Sequence, residues 1–270
     1  MAKKYIFTIT PGRTGTLFLA EFLVRNLPKC EVHHEILGYD SFGVDSPDLS
    51  TLTLFNSQGN VDQVKKFWKQ KLTRIKETKV NYYVETSHIL AKAGLLENLN
   101  YLDKDAEIHF ILLDRDAMKI IESLHARFDF LNIGDIWLWF LDPQYPIKIL
   151  DSTPFNYLSV HGSRLWYVYE MRARSEYYKL KFKSKKNIHF HNINIGNLNT
   201  AKGAKDFLLS LGVKRKTSEI IIPPKLNVTK TKQAVIDKKT EEIIKKEMKK
   251  PFDPTALAKE FIKLGGGWDR

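Results

Sequence analysis

The stretch KYIFTITPGRTGTLFLAEFLVRNL limits the fold more than any other part of the chain. Lys4–Thr10 is a β-rich apolar run. Gly15–Leu27 has helical spacing, with Leu19, Leu23 and Leu27 on one face and Phe18 and Phe22 beside them, and Pro28 stops it. Only the Gly-containing turn PGRTGT separates the two. A strand that feeds a helix this directly returns to pair in parallel, so the chain is expected to build an α/β sheet.

The rest of the sequence continues the alternation. Glu31–Ile36 reads as a short strand and Tyr39–Asn60 as a long polar loop. Val61–Lys76 reads as a helix, Val80–Glu85 as a strand and Ile89–Leu99 as helical. AEIHFILL at Ala106–Leu113 is the clearest buried strand, and helix Ala117–Phe128 follows at once. Ile133–Leu141 is a short aromatic helix or turn, and His161–Leu180 a long amphipathic helix. Strand Asn187–Ile193 and helix Lys202–Leu211, closed by Gly212, come next, then helices Lys238–Lys249 and Thr255–Leu264. The expectation is a three-layer α/β sandwich with a roughly five-stranded parallel sheet, in one domain spanning 1–270. Its motif-bearing core would be 1–213 and its basic helical C-terminal extension 214–270. Ligands in such folds sit beyond the C-terminal strand ends. Here those ends carry the turn Pro11–Thr16, the ETSH stretch Glu85–His88 and the DRD stretch Asp114–Asp116.

Charge narrows the partner. The net charge is +12, and Glu176–Lys250 alone holds 19 Lys/Arg against seven Asp/Glu, leaving the remainder balanced. A basic half favours an anionic partner, although solvated lysine on helix faces is the simpler account of most of it. No apolar run is long enough to span a membrane. The start does not read as a signal peptide, and the single Cys30 excludes an internal disulfide, so a cytoplasmic location is expected.

The glycines of PGRTGT, Gly12 and Gly15, let the backbone approach a ligand. Amides at the helix start can then point at an anion, with hydroxyls from Thr14 and Thr16 and a permanent cation from Arg13. A nucleoside-triphosphate loop would end Gly-Lys-Ser/Thr, whereas Gly15 is followed by Thr16 and Leu17. A second element is LLDRDAMKIIESLHARF. It sets Arg115 just after a buried strand and Ser123 about two turns into the next helix, where both can converge on one phosphate.

An [Lys/Arg]-[Ser/Thr]-Gly-[Thr/Ser] loop followed by Arg-x7-Ser resembles the sulfotransferases that use 3′-phosphoadenosine-5′-phosphosulfate (PAPS). HFHNINIGNLNTAKGAKDFLLSLGV is similar to their late strand and helix, so the resemblance spans Tyr5 to about Val213. It implies a P-loop-like sulfotransferase fold and sulfuryl transfer to a hydroxyl or amine, leaving PAP, with no metal required. It implies that Arg13, Thr14, Gly15 and Thr16, with Gly12, hold the 5′-phosphosulfate, and that Arg115 and Ser123 hold the 3′-phosphate. Leu17 departs from a pattern in which many members carry a second Thr or Ser. The C-terminal Arg-Lys-Gly loop of cytosolic members has only weak echoes, in KLGGGWDR and GVKRKTSE.

The acceptor must lose a proton, so a general base is expected. Glu35 falls where members acting on carbohydrates and tyrosines often place a Glu. His88, in ETSH, matches the Thr-His portion of a Lys-Thr-His stretch. Glu35 is preferred, with His34 third, while Glu85 is read as orienting a cation or meeting the acceptor. The His33-His34 pair lacks partners at metal-ligand spacing, so no zinc site is expected. Trp137, Trp139, Phe140 and Tyr145 read as packing or as an acceptor wall, and Trp166 as core rather than an adenine platform. Arg127, Arg172 and Arg174 read as salt-bridged before acceptor-binding. A small-molecule, glycan or lipid acceptor and a homodimer are open, and nucleic acid is not expected. Two rival readings stay open: an ATP-dependent small-molecule kinase with a degenerate loop, and a non-catalytic anion- or nucleic-acid-binding protein.

Overall fold

The computed structural model describes residues 3–34, 46–130, 140–224 and 234–269. Five strands form one all-parallel sheet in the order β2-β3-β1-β4-β5: β1 Lys4–Ile9, β2 Cys30–His33, β3 Tyr82–Glu85, β4 Glu107–Asp114 and β5 Ile188–Asn194. The helices are α1 Thr16–Asn26, α2 Leu49–Gln58, α3 Asp62–Glu77, α4 Ala117–His125, α5 Val160–Lys181, α6 Ala201–Ser210, α7 Lys238–Met248 and α8 Pro254–Lys263. The expected three-layer α/β fold with five parallel strands is the fold observed.

Strand alternation produces the layers. Tyr5, Phe7 and Ile9 of β1, with Ile108, Phe110 and Leu112 of β4, turn into one core with residues of α3, α4 and α5. Ile6, Val84, Ile111 and Leu113 turn the other way, against Leu19, Phe22 and Leu23 of α1 and Phe207 and Leu208 of α6. Both faces of the central strands are covered, which is why β1 and β4 read as continuous apolar runs.

The chain leaves β1 toward β2 and β3 on one side, then crosses to β4 on the other. The crevice between the C-terminal ends of β1 and β4 is therefore the topological switch point. The Pro11–Gly15 turn and Arg115 both open onto it.

Two local expectations are corrected. Part of the supposed loop Tyr39–Asn60 is helix α2. Its N-cap Asp48 accepts from the Thr51 amide at 2.7 Å, and Gly59 at φ 86° ends it. The Ser/Thr-rich composition hid an apolar stripe, Leu52 and Phe55, that packs into the main core. The expected helix Ile89–Leu99 is instead two 3-10 turns, Leu90–Lys92 and Leu96–Tyr101. Gly94 breaks it at φ 99°, where a Cβ would lie 2.9 Å from the Phe55 ring. Glu35, Trp137 and Trp139, and most of the expected Ile133–Leu141 element, lie outside the described residues.

Beyond residue 213, α7 and α8 contribute Ile244 and Ala258 to the same core as α5. The fully buried Trp268 stacks on Phe55 at 5.9 Å, with the Arg174 guanidinium 4.5 Å from its ring.

Candidate anion-binding site

The turn after β1 is shaped by three departures from ordinary backbone. Gly12 (φ 84°), Arg13 (φ 58°) and Gly15 (φ 98°) all have positive φ. Glycine is needed at two of them. At Gly12 the positive φ is the reason, since a Cβ would make only ordinary contact with His88; on Gly15 a Cβ would also sit 3.0 Å from Ile195 Cγ1. Arg13 takes the left-handed conformation at a cost, as residues at functional sites often do.

Hydrogen bonds hold the turn from inside. Thr10 Oγ1 accepts from the Gly12 amide at 3.2 Å and lies 2.6 Å from Thr14 Oγ1. Tyr167 of α5 donates to the Pro11 carbonyl at 2.8 Å. Thr10, Thr14 and Thr16 are buried, so their hydroxyls serve the turn or a ligand seated in it. Helix α1 starts at Thr16 with no side-chain cap and no acidic residue in its first turn. Its amides and the positive end of its dipole thus favour an anion.

Arg115 and Ser123 close the other side. Arg13 Nε donates to Ser123 Oγ at 2.9 Å, and Arg115 donates to the Arg13 carbonyl at 3.1 Å. The structure therefore gathers the turn, the β4 end and α4 into one cluster. Arg13 reaches across to Ser123, whereas the resemblance assigned them to opposite ends of the ligand. Arg172 backs the cluster, pairing with Asp114 at 3.0 Å and donating to the Arg115 carbonyl. Beside it lies a cavity of about 680 Å³, bounded by Pro11, Arg115, Arg172, Lys179 and Asn194. That size suits a nucleotide.

His88 stands on the opposite flank of the turn. Lys92 Nζ lies 2.8 Å from His88 Nδ1 and donates to the Tyr167 hydroxyl at 2.7 Å, forming a chain His88–Lys92–Tyr167–Pro11. Burial, and then the charges of Lys92, His34, Arg13 and Arg127, hold the His88 pKa well below the usual imidazole range. The ring is therefore neutral near pH 7. Lys92 Nζ occupies the Nδ1 edge of the ring. His34 Nδ1 lies 3.1 Å from the Thr86 carbonyl and Thr86 Oγ1.

Several other expected candidates have structural partners. Glu85 is fully buried, 3.0 Å from Lys71 Nζ, and accepts from the Tyr83 hydroxyl, so it does orient a cation. Arg174 pairs with Glu170 at 2.8 Å, and Arg127 lies 3.5 Å from Asp129. Trp166 is buried and donates to the Leu150 carbonyl, as a core residue. No group of three or more His, Cys, Asp or Glu suited to a metal ion occurs among the described residues.

Sequence reading missed Lys92, Tyr167 and Asp129. Lys92 looked like a helix-face lysine, and its only signal was the i,i+4 spacing from His88. Asp129 is 1% exposed, and among the described residues its carboxylate meets Arg127 at 3.5 Å. Phe128 (φ 61°) and Phe130 (φ 65°) bracket it in left-handed conformation. Burial raises its pKa, against the charges of Arg127, Arg13 and Arg164.

Fold and site together define a parallel α/β protein with Arg13, Arg115 and Ser123 gathered at its switch point. No protein-family model and no curated protein matches the chain. Among solved structures, it is similar to a sulfotransferase domain from the curacin biosynthetic pathway. That likeness has 12% identity and a TM-score of 0.44 over 98% of each chain. At those values it carries no argument about chemistry.

Proposed function

We propose that the protein transfers a sulfuryl group from PAPS to an acceptor hydroxyl. The observation that carries this reading is the convergence of the uncapped α1 N-terminus, Arg13, Ser123 and Arg115 around a turn without a Walker lysine. The turn amides with Arg13, Thr14, Gly15 and Thr16 are assigned to the 5′-phosphosulfate. Arg115 and Ser123 are assigned to the 3′-phosphate, with the adjacent cavity for the nucleoside. PAPS supplies an activated sulfuryl group with a phosphate leaving group. The protein aligns the acceptor oxygen in line and stabilises charge growing on the bridging oxygen through fixed donors. Arg13 and Lys92 are the cations suited to that task.

Glu35 is proposed as the base, because Lys92 Nζ occupies the Nδ1 edge of the His88 ring. His88 then serves as a neutral wall of the turn. Calorimetry with PAP, and with ATP in the presence and absence of Mg²⁺, tests the donor. PAP binding without Mg²⁺-ATP binding supports sulfuryl transfer. Mg²⁺-ATP binding without PAP binding replaces it with a kinase.

A further inference from the structure

A second cavity, of about 430 Å³, is lined by Phe140, the aromatic neighbour of His88. Its floor is the stacked pair Phe130 and Phe140, 4.7 Å apart at 17°, with Leu49 and Leu141. Phe140 is also 5.6 Å from the His88 ring, and a Cβ on Gly12 would lie 3.4 Å from that ring. The cavity is therefore one aromatic layer and one imidazole from the turn that is proposed to hold the sulfuryl group.

Its electrostatic character is opposite to that of the rest of the molecule. Among the described residues, no Lys, Arg or His lines it, and its only charged lining group is Asp142 at the rim. The remaining polar groups are neutral. Thr53 and Tyr145 share a hydrogen bond at 3.2 Å, and Gln144, Asn156 and Ser163 offer amides and a hydroxyl. Nearby cations are engaged elsewhere. Lys148 donates to the Pro143 carbonyl and Ser152, Lys92 bonds Tyr167 and lies 5.4 Å from the Phe140 centroid, and Arg164 donates to the Asp129 carbonyl.

The sequence repeats this pattern. The stretches that contribute most of the lining, Cys30–Val64 and Phe128–Ile147, hold no lysine or arginine and nine Asp/Glu. A chain with 43 Lys/Arg in 270 residues would place about nine there. An acidic glycan brought to this cavity would lose hydration and meet no counter-charge. A flat apolar ring would stack on Phe130 and Phe140 and find neutral partners for a hydroxyl.

We propose that this cavity is the acceptor site and that it takes an uncharged, ring-bearing alcohol rather than a carboxylated or sulfated glycan. The assignment as acceptor site rests on the sulfuryl-transfer reading, whereas the ligand class rests on the cavity alone.

Calorimetry with 2-naphthol and with a glucuronate-containing disaccharide, on the free and the PAP-loaded protein, tests it. Naphthol is expected to bind in both forms and the acidic disaccharide in neither. Thr53→Trp, which fills the cavity, should weaken naphthol at least tenfold with PAP affinity unchanged. Asn156→Lys, at the exposed rim, should raise disaccharide affinity and serves if Thr53→Trp does not fold. Tighter binding of the disaccharide than of naphthol by the unaltered protein overturns the proposal. So does naphthol affinity that is indifferent to Thr53→Trp. Failure of PAP to bind sinks the donor reading instead, and leaves naphthol binding to the free protein as a separate result.

Discussion

Gly15→Ala is the sharpest test of how the turn after β1 is built. Gly15 is the N-cap of α1 with φ 98° and ψ 29°. An alanine there costs about 1–2 kcal/mol for the left-handed backbone, toward the upper end because φ exceeds the usual left-handed value. The added Cβ also meets Ile195 Cγ1 at 3.0 Å, tight enough to push either the turn or the start of the segment after β5. The expected total is about 2 kcal/mol, or a fall of roughly 4–8 °C in Tm for a chain of this size. If the α1 amides grip the ligand, the displaced turn also lowers PAP affinity by about tenfold or more. Chemical denaturation and calorimetry read the two effects. Ile195→Ala in the same chain removes the nearest methylene and should restore part of the steric loss but none of the backbone strain. A Gly15→Ala protein with unchanged stability and unchanged PAP affinity would refute the reasoning, because neither the conformation nor the close approach would then matter.

Arg115→Ala should weaken PAP binding by roughly 10–100-fold, the loss of charge-assisted hydrogen bonds, and Ser123→Ala should do so more mildly, as seen by calorimetry. Glu35→Gln should abolish transfer in a PAP-release assay while PAP still binds. Full activity in that variant removes Glu35 as the base. Tyr167→Phe cuts the tether from Lys92 to the Pro11 carbonyl and is expected to cost about 1–2 kcal/mol in urea unfolding. Acid should also find a weak point in the sheet. His109 stacks between His189 and His191, and burial, with neighbouring imidazoles, lowers His109 to about 3 and His191 to about 4. Their folded values lie below the usual 6.5, so stability is fully present above pH 6.5 and falls as pH drops toward 4. The loss is on the order of 1 kcal/mol per pH unit for each histidine, and His109→Gln should flatten that slope in denaturation curves.

The parallel sheet was legible because β1 and β4 bury both faces and read as unbroken apolar runs. The turn was legible because glycine spacing between a strand and a helix is a local signal. Helix α2 was not, since Ser and Thr mask a stripe that only packing against the core reveals. The expected helix Ile89–Leu99 failed for a tertiary reason as well: Gly94 sits at positive φ where a side chain would run into Phe55 and Val64.

By itself, the sequence determined the layer order of the fold, the cationic turn and the presence of Arg115 and Ser123 at a strand end and on the following helix. Those are consequences of local periodicity and of short connections. Tertiary structure alone decided that Arg13 bonds Ser123, that Lys92 engages His88, and that a cavity without cations lies at Phe140. Arg13 and Ser123 are 110 positions apart, and the cavity is lined from several elements, whereas Lys92 and His88 are four residues apart. Even for that pair, the orientation comes from Tyr167, 75 residues later in the chain.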